Sequence, residues 1–228
     1  MKAEAGLPPL ENADRNPDAS AEDPLAPRSA SGVPHLTLIH RPASLTEPIS
    51  LAGLFPRSRP MEVELGSGDG SFLVQHAGRY PDRNFIGVER LLGRLRKTDR
   101  KARRADLANL RLIRIEASYF LEYLLPRASV TVLHVYFPDP WPKRKHSKNR
   151  LINAHFPGLA GRILAPCGTV HLRTDDADYF AQMNASFAGQ PDFVPVETPS
   201  GLRELLTDFE KDFNSRGIRT WHAAWQRT

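Results

Sequence analysis

Cysteine is nearly absent from this chain, since Cys167 is the only one among 228 residues. A disulfide framework is therefore excluded, and a reducing compartment is expected. No apolar run approaches the roughly 18 residues of a membrane-spanning helix, and the first residues lack the apolar core of a secretory signal. These absences predict a cytoplasmic protein without membrane contact. The sequence also gives no sign of an obligate protein partner, and a monomer or a homodimer is expected.

Charge and proline are unevenly distributed along the chain. The formal net charge is +5, yet residues 1–30 are net −3, which leaves a body of net +8. A basic body favours a polyanionic partner. Residues 1–30 mix proline, alanine, serine and acids without periodicity, which predicts a disordered tail. Short apolar pieces alternate with prolines across 31–60, which predicts an irregular arm, and 61–228 is the predicted main domain.

Strand-like and helix-like segments alternate from Met61 onward. This alternation predicts an α/β fold in which a mostly parallel sheet carries helices on both faces. The predicted strands are 61–65, 85–89, 110–115, 129–137, 169–173, 193–196 and 220–225. The predicted helices are 71–79, 91–106, 119–125, 151–164 and 176–188.

A glycine-rich loop joins the first predicted strand to the first predicted helix. It contains Gly66, Gly68 and Gly70, which allow the backbone to approach a ligand closely. A dinucleotide fingerprint places its third small position at Ser71 rather than at Gly70. Glu64 precedes the glycines, and an anion there suits a ligand that carries a cation rather than a pyrophosphate. S-adenosylmethionine has both a sulfonium and an ammonium.

Two further acids follow the next strands of the predicted sheet. Glu89 ends the second strand, about 20 residues beyond the glycines, where an acid binds ribose hydroxyls in related folds. Glu116 ends the third strand and is predicted near the adenine edge. Since ligands of open α/β sheets bind outside the carboxyl ends of the strands, these acids are expected around one crevice. The alternative is a glycine-rich turn with solvent-facing acids.

The fourth strand runs into the sequence Tyr-Phe-Pro-Asp-Pro-Trp at 136–141. Pro138 and Pro140 each fix φ near −65° and favour an extended conformation in the residue before them, so Asp139 is predicted to lie on a stiff backbone. Trp141 and a basic run over 143–150 follow. An acid, an aromatic ring and a basic cluster indicate a site for nucleic acid, although a solvated charge run remains the alternative.

Together, these motifs resemble those of the bacterial tRNA (guanine-N7-)-methyltransferase family. The resemblance extends from about 61 to 226. It rests on the segments 64–70 (Glu-Leu-Gly-Ser-Gly-Asp-Gly), 87–89 (Gly-Val-Glu), 137–141 (Phe-Pro-Asp-Pro-Trp), 174–175 (Thr-Asp) and 207–210 (Thr-Asp-Phe-Glu). It implies a Rossmann-like class I S-adenosylmethionine-dependent methyltransferase, with a mostly parallel seven-stranded sheet, that methylates N7 of guanosine 46 in the tRNA variable loop.

The resemblance also implies roles for individual residues. The implied cofactor contacts are Glu64, Gly66, Gly68, Gly70, Glu89, Glu116 and Asp139, with Asp139 also the catalytic residue. The implied substrate contacts are Lys143, Asp175, Thr207, Asp208, Phe209 and Glu210. The implied RNA contacts are Lys145, His146, Ser147, Lys148, Asn149 and Arg150. Glu116 stands where the family more often has a shorter side chain, and residues 1–60 do not match the family's usual amino-terminal arm.

Guanine N7 is a lone-pair acceptor without a hydrogen, so its methylation requires neither a general base nor a metal. The reaction requires alignment and an anion near the developing positive charge, for which Asp139 is the candidate. Two alternatives remain: a methyltransferase of the same fold that acts on another RNA or a small molecule, and a non-catalytic RNA-binding subunit. A dinucleotide oxidoreductase is disfavoured by the position of the third glycine.

Overall fold

An eight-stranded sheet organises the computed structural model, which describes residues 37–228. The predicted tail, 1–30, lies outside the described residues. The strands are β1 Ile39–His40, β2 Met61–Leu65, β3 Asn84–Val88, β4 Leu110–Ile113, β5 Val130–Tyr136, β6 Leu164–Thr174, β7 Phe193–Val196 and β8 Trp221–Arg227. Their order is β1-β4-β3-β2-β5-β6-β8-β7, and β8 runs in the opposite direction to the other seven strands.

Helices connect most of these strands. They are α1 Leu51–Leu54, α2 Ser71–Arg79, α3 Leu92–Arg104, α4 Ala117–Tyr119, α5 Phe156–Ile163, α6 Ala177–Ala188, α7 Ser200–Arg203 and α8 Asp208–Ser215. A π-helical turn, Phe120–Leu124, continues α4, and a 3-10 helix covers Arg144–Asn149. No helix within 37–228 combines the length and the apolar character that crossing a bilayer demands.

The predicted count of seven strands is wrong, because the segment before the main domain supplies an eighth. Ile39 and His40 pair in parallel with Leu112 and Ile113 at the edge of the sheet. The buried Asp99 of α3 secures this strand, since its Oδ1 accepts the Leu38 N–H at 2.8 Å. A strand of two residues has no readable period-2 pattern, so the sequence alone could not reveal it.

Two hydrophobic clusters lie on opposite faces of the sheet. Alternate residues of β2 divide between the faces, so that Met61, Val63 and Leu65 join the larger cluster while Glu62 and Glu64 point away from it. The second cluster joins α2 and α3 to β3 and β4. The chain continues from β2 to β3 on one side and returns at β5 on the other. This reversal forms a crevice at the carboxyl ends of the strands.

Candidate active site

A cavity of about 1030 Å³ opens at this reversal point, between the carboxyl ends of β2 and β5. It brings together most of the residues that the sequence singles out. The predicted residues that line it are Glu64, Gly66, Gly68, Glu89, Glu116, Asp139, Asn149, Asp175, Thr207, Asp208 and Phe209. The site is thus assembled from loops that are distant in sequence but follow neighbouring strands.

The glycine loop forms the floor of the cavity between β2 and α2. Gly66, Gly68 and Gly70 all have positive φ, at 73°, 56° and 78°, a conformation that other residues adopt only with strain. A Cβ on Gly70 would lie 2.4 Å from Cγ2 of Thr98, so the absence of a side chain also lets α3 approach. The loop therefore requires glycine both for its turn and for its packing.

Glu64 is the most unusual charge in the cavity. Its side chain is buried, with 4% exposed, and its Oε2 has no hydrogen-bond partner among residues 37–228. Burial raises the pKa of Glu64 to about 8, although Arg173 opposes the shift. Ionising a buried carboxylate without a partner is costly. A cation bound beside it would offset that cost. The site is therefore suited to a ligand that carries a positive charge.

Glu89 and Glu116 also face the cavity, but both carboxylates have backbone partners. Glu89 accepts the N–H of Gly68 at 3.1 Å and that of Leu91 at 2.7 Å. Glu116 caps α4, where its two oxygens accept from the N–H groups of residues 118 and 119 at 3.0 and 2.8 Å. A carboxylate offers about four acceptor positions, so both retain capacity for a ligand.

The loop after β5 presents Asp139, which is exposed at the cavity. Phe137 and Trp141 flank it with positive φ, at 52° and 44°. Phe137 precedes a proline, and the extended conformation expected there is wrong. Its N–H donates to the Arg173 carbonyl at 2.8 Å, and its ring centroid lies 5.6 Å from that of Phe213, so tertiary contacts override the local preference. Strained backbone on both sides of an acid is typical of functional loops.

Arg150, a predicted RNA contact, is buried inside the protein. Only 5% of the residue is exposed, and its guanidinium donates to the Pro140 carbonyl at 2.6 Å, to Gln182 at 2.7 Å and to Asp178 at 2.7 Å. It also lies over the Tyr179 ring, 4.8 Å from the centroid. Arg150 is thus bonded within the protein, where it anchors the Asp139 loop to α6.

The other basic-run residues differ from Arg150 in exposure. Four of them are exposed at the surface, namely Lys143, Lys145, Lys148 and Asn149, whereas His146 and Ser147 are half-buried. The His146 ring packs edge-on against Trp141, with centroids 5.9 Å apart. The basic run therefore combines an anchoring arginine with a surface that remains available to a polyanion.

Glu210, a predicted substrate contact, also has its partners within the protein. Glu210 is fully buried and forms a capping box with Thr207 at the start of α8. Its Oε2 accepts from Arg173 Nη1 at 2.6 Å, and His222 Nε2 lies 3.1 Å from its Oε1. Burial alone would raise the pKa of Glu210, but His222 and Arg173 hold it below its ordinary value. Glu210 positions Thr207 and Phe209, which line the cavity, and does not line it itself.

Arg173 is the residue that the sequence analysis missed. It is 1% exposed and donates to the carbonyls of Leu202 and Leu205 as well as to Glu210. Its guanidinium lies 4.1 Å from the Tyr136 ring centroid. It therefore ties the segment that leads into α8 to the end of β6. The signal was an arginine at the end of the predicted strand 169–173, directly before Thr174 and Asp175.

A buried group beneath the cavity has the composition of a metal site. Within 37–228, the ligand atoms of Glu62, His76 and His134 lie within 4.8 Å of one another. Glu62 Oε2 is 2.8 Å from Nε2 of each histidine, and Glu62 Oε1 accepts from Arg83 at 2.5 Å. His134 Nδ1 is also 2.8 Å from the Tyr136 hydroxyl. These atoms already satisfy one another, so the group is a hydrogen-bonded network.

Solved structures share the architecture of this chain. The 16S rRNA methyltransferase KamB superposes with a TM-score of 0.55 at 16% identity, over 80% of this chain and 95% of that one. The 30S ribosomal A1408 methyltransferase from an uncultured bacterium gives 0.54 at 17% identity, over 78% and 92%. At such identities the likeness concerns the fold alone, and it confirms the predicted α/β fold with a mostly parallel sheet.

Sequence relatives identify the family. A family model described as "Putative methyltransferase" matches residues 58–223. The tRNA (guanine-N(7)-)-methyltransferase of Sodalis glossinidius is 37% identical over 78% of this chain and 75% of its own length. That of Bordetella parapertussis is 31% identical over 95% and 92%. The chain therefore belongs to the tRNA (guanine-N(7)-)-methyltransferase family.

Proposed function

We propose that this protein transfers a methyl group from S-adenosylmethionine to N7 of a guanosine in tRNA, with position 46 in the variable loop as its target. The family supports the reaction. The observation that carries the proposal is the buried, unpartnered Glu64 Oε2 in the same cavity as the exposed Asp139. The Glu64 carboxylate can pair with a cation, and the Asp139 carboxylate is accessible to a substrate.

The cofactor, when bound, supplies an electrophilic methyl group on a sulfonium. Glu64 and the glycine loop are proposed to hold its cationic end, because a buried carboxylate is best stabilised by a charged partner. Glu89 is proposed to accept hydrogen bonds from the ribose hydroxyls. Glu116 and its neighbouring backbone are proposed to border the adenine. Glycine at positions 66 and 68 leaves room for the ligand to meet the backbone.

Asp139 is proposed as the catalytic group that faces the guanine. N7 carries no proton, so the carboxylate accepts hydrogen bonds from the base edge and stabilises the positive charge that the purine gains. Its position is held by the Arg150 hydrogen bond to the Pro140 carbonyl. An anchored anion aligns the base without reorganising during the reaction.

The remaining proposed contacts divide between base and backbone. Asp175, Thr207, Asp208 and Phe209 border the cavity and are proposed to hold the guanosine. Phe209 is 53% exposed, as a ring that stacks on a base must be before the base arrives. Lys143 is exposed outside the cavity lining and remains a proposed contact to the guanosine, while Lys145, His146, Ser147, Lys148 and Asn149 are proposed to contact the RNA near the reacting nucleotide.

The test combines position mapping with substitution of Asp139. Unmodified tRNA is incubated with S-adenosylmethionine, and 7-methylguanosine is located by chemical cleavage at the modified base. We expect modification at guanosine 46 alone, and about a thousandfold lower kcat/KM for Asp139→Ala. Asp82→Ala removes an exposed acid away from the cavity and serves as the control. Methylation of another RNA or of small molecules only, or tRNA binding without transfer, would overturn the proposal.

A further inference from the structure

Helix α3 carries a cluster of positive charge that the proposed site does not use. Four exposed cations, namely Arg96, Lys97, Arg100 and Arg104, lie on its outward side. At 3.6 residues per turn they occupy a single stripe, opposite the buried Leu95 and Ala102. From Arg96 to Arg104 the stripe is about 12 Å long.

Acidic side chains do not balance this stripe. Asp99 is the only acid in α3; it is buried, accepts the Leu38 N–H and pairs with Arg103 at 3.0 Å. Among residues 37–228, none pairs with Arg96, Arg100 or Arg104 in an ion pair. Like charges three or four residues apart destabilise a helix, so the stripe has a cost that an ordinary solvated face, with mixed signs, avoids.

The stripe also begins at the cavity. Lys97 lines the cavity wall together with Arg94 on the same helix. Lys101 pairs at 2.7 Å with Asp69 of the glycine loop, which fixes the flank of α3 against the loop. A polyanion whose reacting base occupies the cavity would therefore meet the α3 cations as it leaves.

We propose that the outward face of α3 is a phosphate-binding surface for the RNA substrate and extends the contact from the cavity rim along Arg96, Arg100 and Arg104. The inference rests on the proposed function, because it takes tRNA as the molecule in the cavity. These contacts position the RNA and carry no sequence information. Their signature is a share of the salt dependence of binding, since each phosphate contact releases counterions.

The test compares two triple variants that lose the same charge. Arg96→Gln/Arg100→Gln/Arg104→Gln removes the three cations of the stripe that do not line the cavity. Arg57→Gln/Arg79→Gln/Arg127→Gln removes three exposed arginines that lie near the amino ends of β2, β3 and β5, away from the cavity. Binding of unmodified tRNA is measured between about 50 and 200 mM salt, together with the affinity for S-adenosylhomocysteine.

We expect the slope of log K against log salt to become shallower by about 2 to 3 in the α3 variant, at roughly 0.7 to 0.9 per lost contact. The control is expected to keep the wild-type slope, and both variants to keep the wild-type affinity for S-adenosylhomocysteine. The proposed surface would be overturned if the wild type and the α3 variant had equal salt slopes, or if the control variant changed the slope as much as the α3 variant does. If the wild type binds tRNA with the expected slope but does not methylate it, the proposed function fails while the surface stands.

Discussion

Glu62 and Glu64 stand two residues apart on β2, on the same face and almost equally buried, with 1% and 4% exposed. Glu62 is surrounded by His76, His134 and Arg83. Burial alone would raise the pKa of Glu62, but the two histidines hold it well below its ordinary value. Glu64 has an unpartnered oxygen and a pKa of about 8. A buried glutamate is thus structural where the protein supplies its partners, as at Glu62. It is available to a ligand where the protein does not, as at Glu64.

Among the variants that test this comparison, Glu62→Gln is expected to have the largest effect. The change leaves two histidines and an arginine without their shared anion, so we expect the free energy of unfolding to fall by about 3–5 kcal/mol. Urea denaturation at pH 7 measures this, with Glu64→Gln as the matched control. Glu64→Gln is expected to lose no stability, because Glu64 is ionised in the unfolded chain at that pH but neutral in the fold, and an amide removes the cost of that difference. Equal losses in both variants would contradict the distinction.

The converse test concerns ligand affinity. Glu64→Gln is expected to weaken S-adenosylhomocysteine binding by about 1.5–3 kcal/mol, or roughly 10- to 150-fold, through loss of a charge-assisted hydrogen bond. Isothermal titration calorimetry measures the affinity. Methylthioadenosine lacks the amino-acid end and should bind the wild type and the variant alike. A similar loss for both ligands would mean that Glu64 shapes the cavity and does not pair with the ammonium.

The pH dependence of ligand binding sharpens the same comparison. The folded, ligand-free protein holds the pKa of Glu64 at about 8, above its ordinary 4.5, so the neutral carboxyl is favoured at pH 6–7.5. Binding an ammonium requires ionisation, and the wild-type affinity should rise up to about tenfold per pH unit over that range with release of a proton. Calorimetry in two buffers of different ionisation enthalpy detects the proton. A flat wild-type profile would contradict the expectation; Glu64→Gln should be flat.

Ligand-free stability should show the opposite trend. A carboxyl whose folded pKa lies above its unfolded value stabilises the fold fully below about pH 4.5. That contribution is lost as the pH rises through about 8. The loss should disappear in Glu64→Gln, which cannot ionise.

The smallest effects separate the partnered and unpartnered cations of the basic run. Arg150→Gln should lower kcat roughly tenfold, since a buried charge-assisted hydrogen bond contributes about 1.5 kcal/mol, while the salt slope of tRNA binding is unchanged. Lys148→Gln should make that slope shallower by about 0.7 to 0.9. Single-turnover kinetics and salt titrations distinguish the two. A shallower slope in Arg150→Gln would mean that the arginine reaches the RNA.

The sequence was informative wherever chemistry follows the end of a strand. Glu64, Glu89 and Asp139 line one cavity because the carboxyl ends of parallel strands meet at one edge. The sequence does not show which individual charged side chains are buried. Lys148 and Arg150 look equivalent in the sequence, yet Lys148 is exposed whereas Arg150 is buried, with 5% exposed.

Long-range partners also escaped the sequence. Glu210 pairs with Arg173, 37 positions away, and no local pattern announces the pair. The eighth strand was missed for a related reason, because Ile39 and His40 become a strand only through their pairing with β4.

The position of β8 has a consequence for biosynthesis. β8 lies between β6 and β7, so β7 cannot join the sheet until its pairing partner, residues 221–227, has been made. Until then the eleven-residue β6 presents a free edge, and such edges template association between chains. Nascent chains that stall before Trp221 should therefore be prone to aggregation and should be clients for chaperones that shield strand edges.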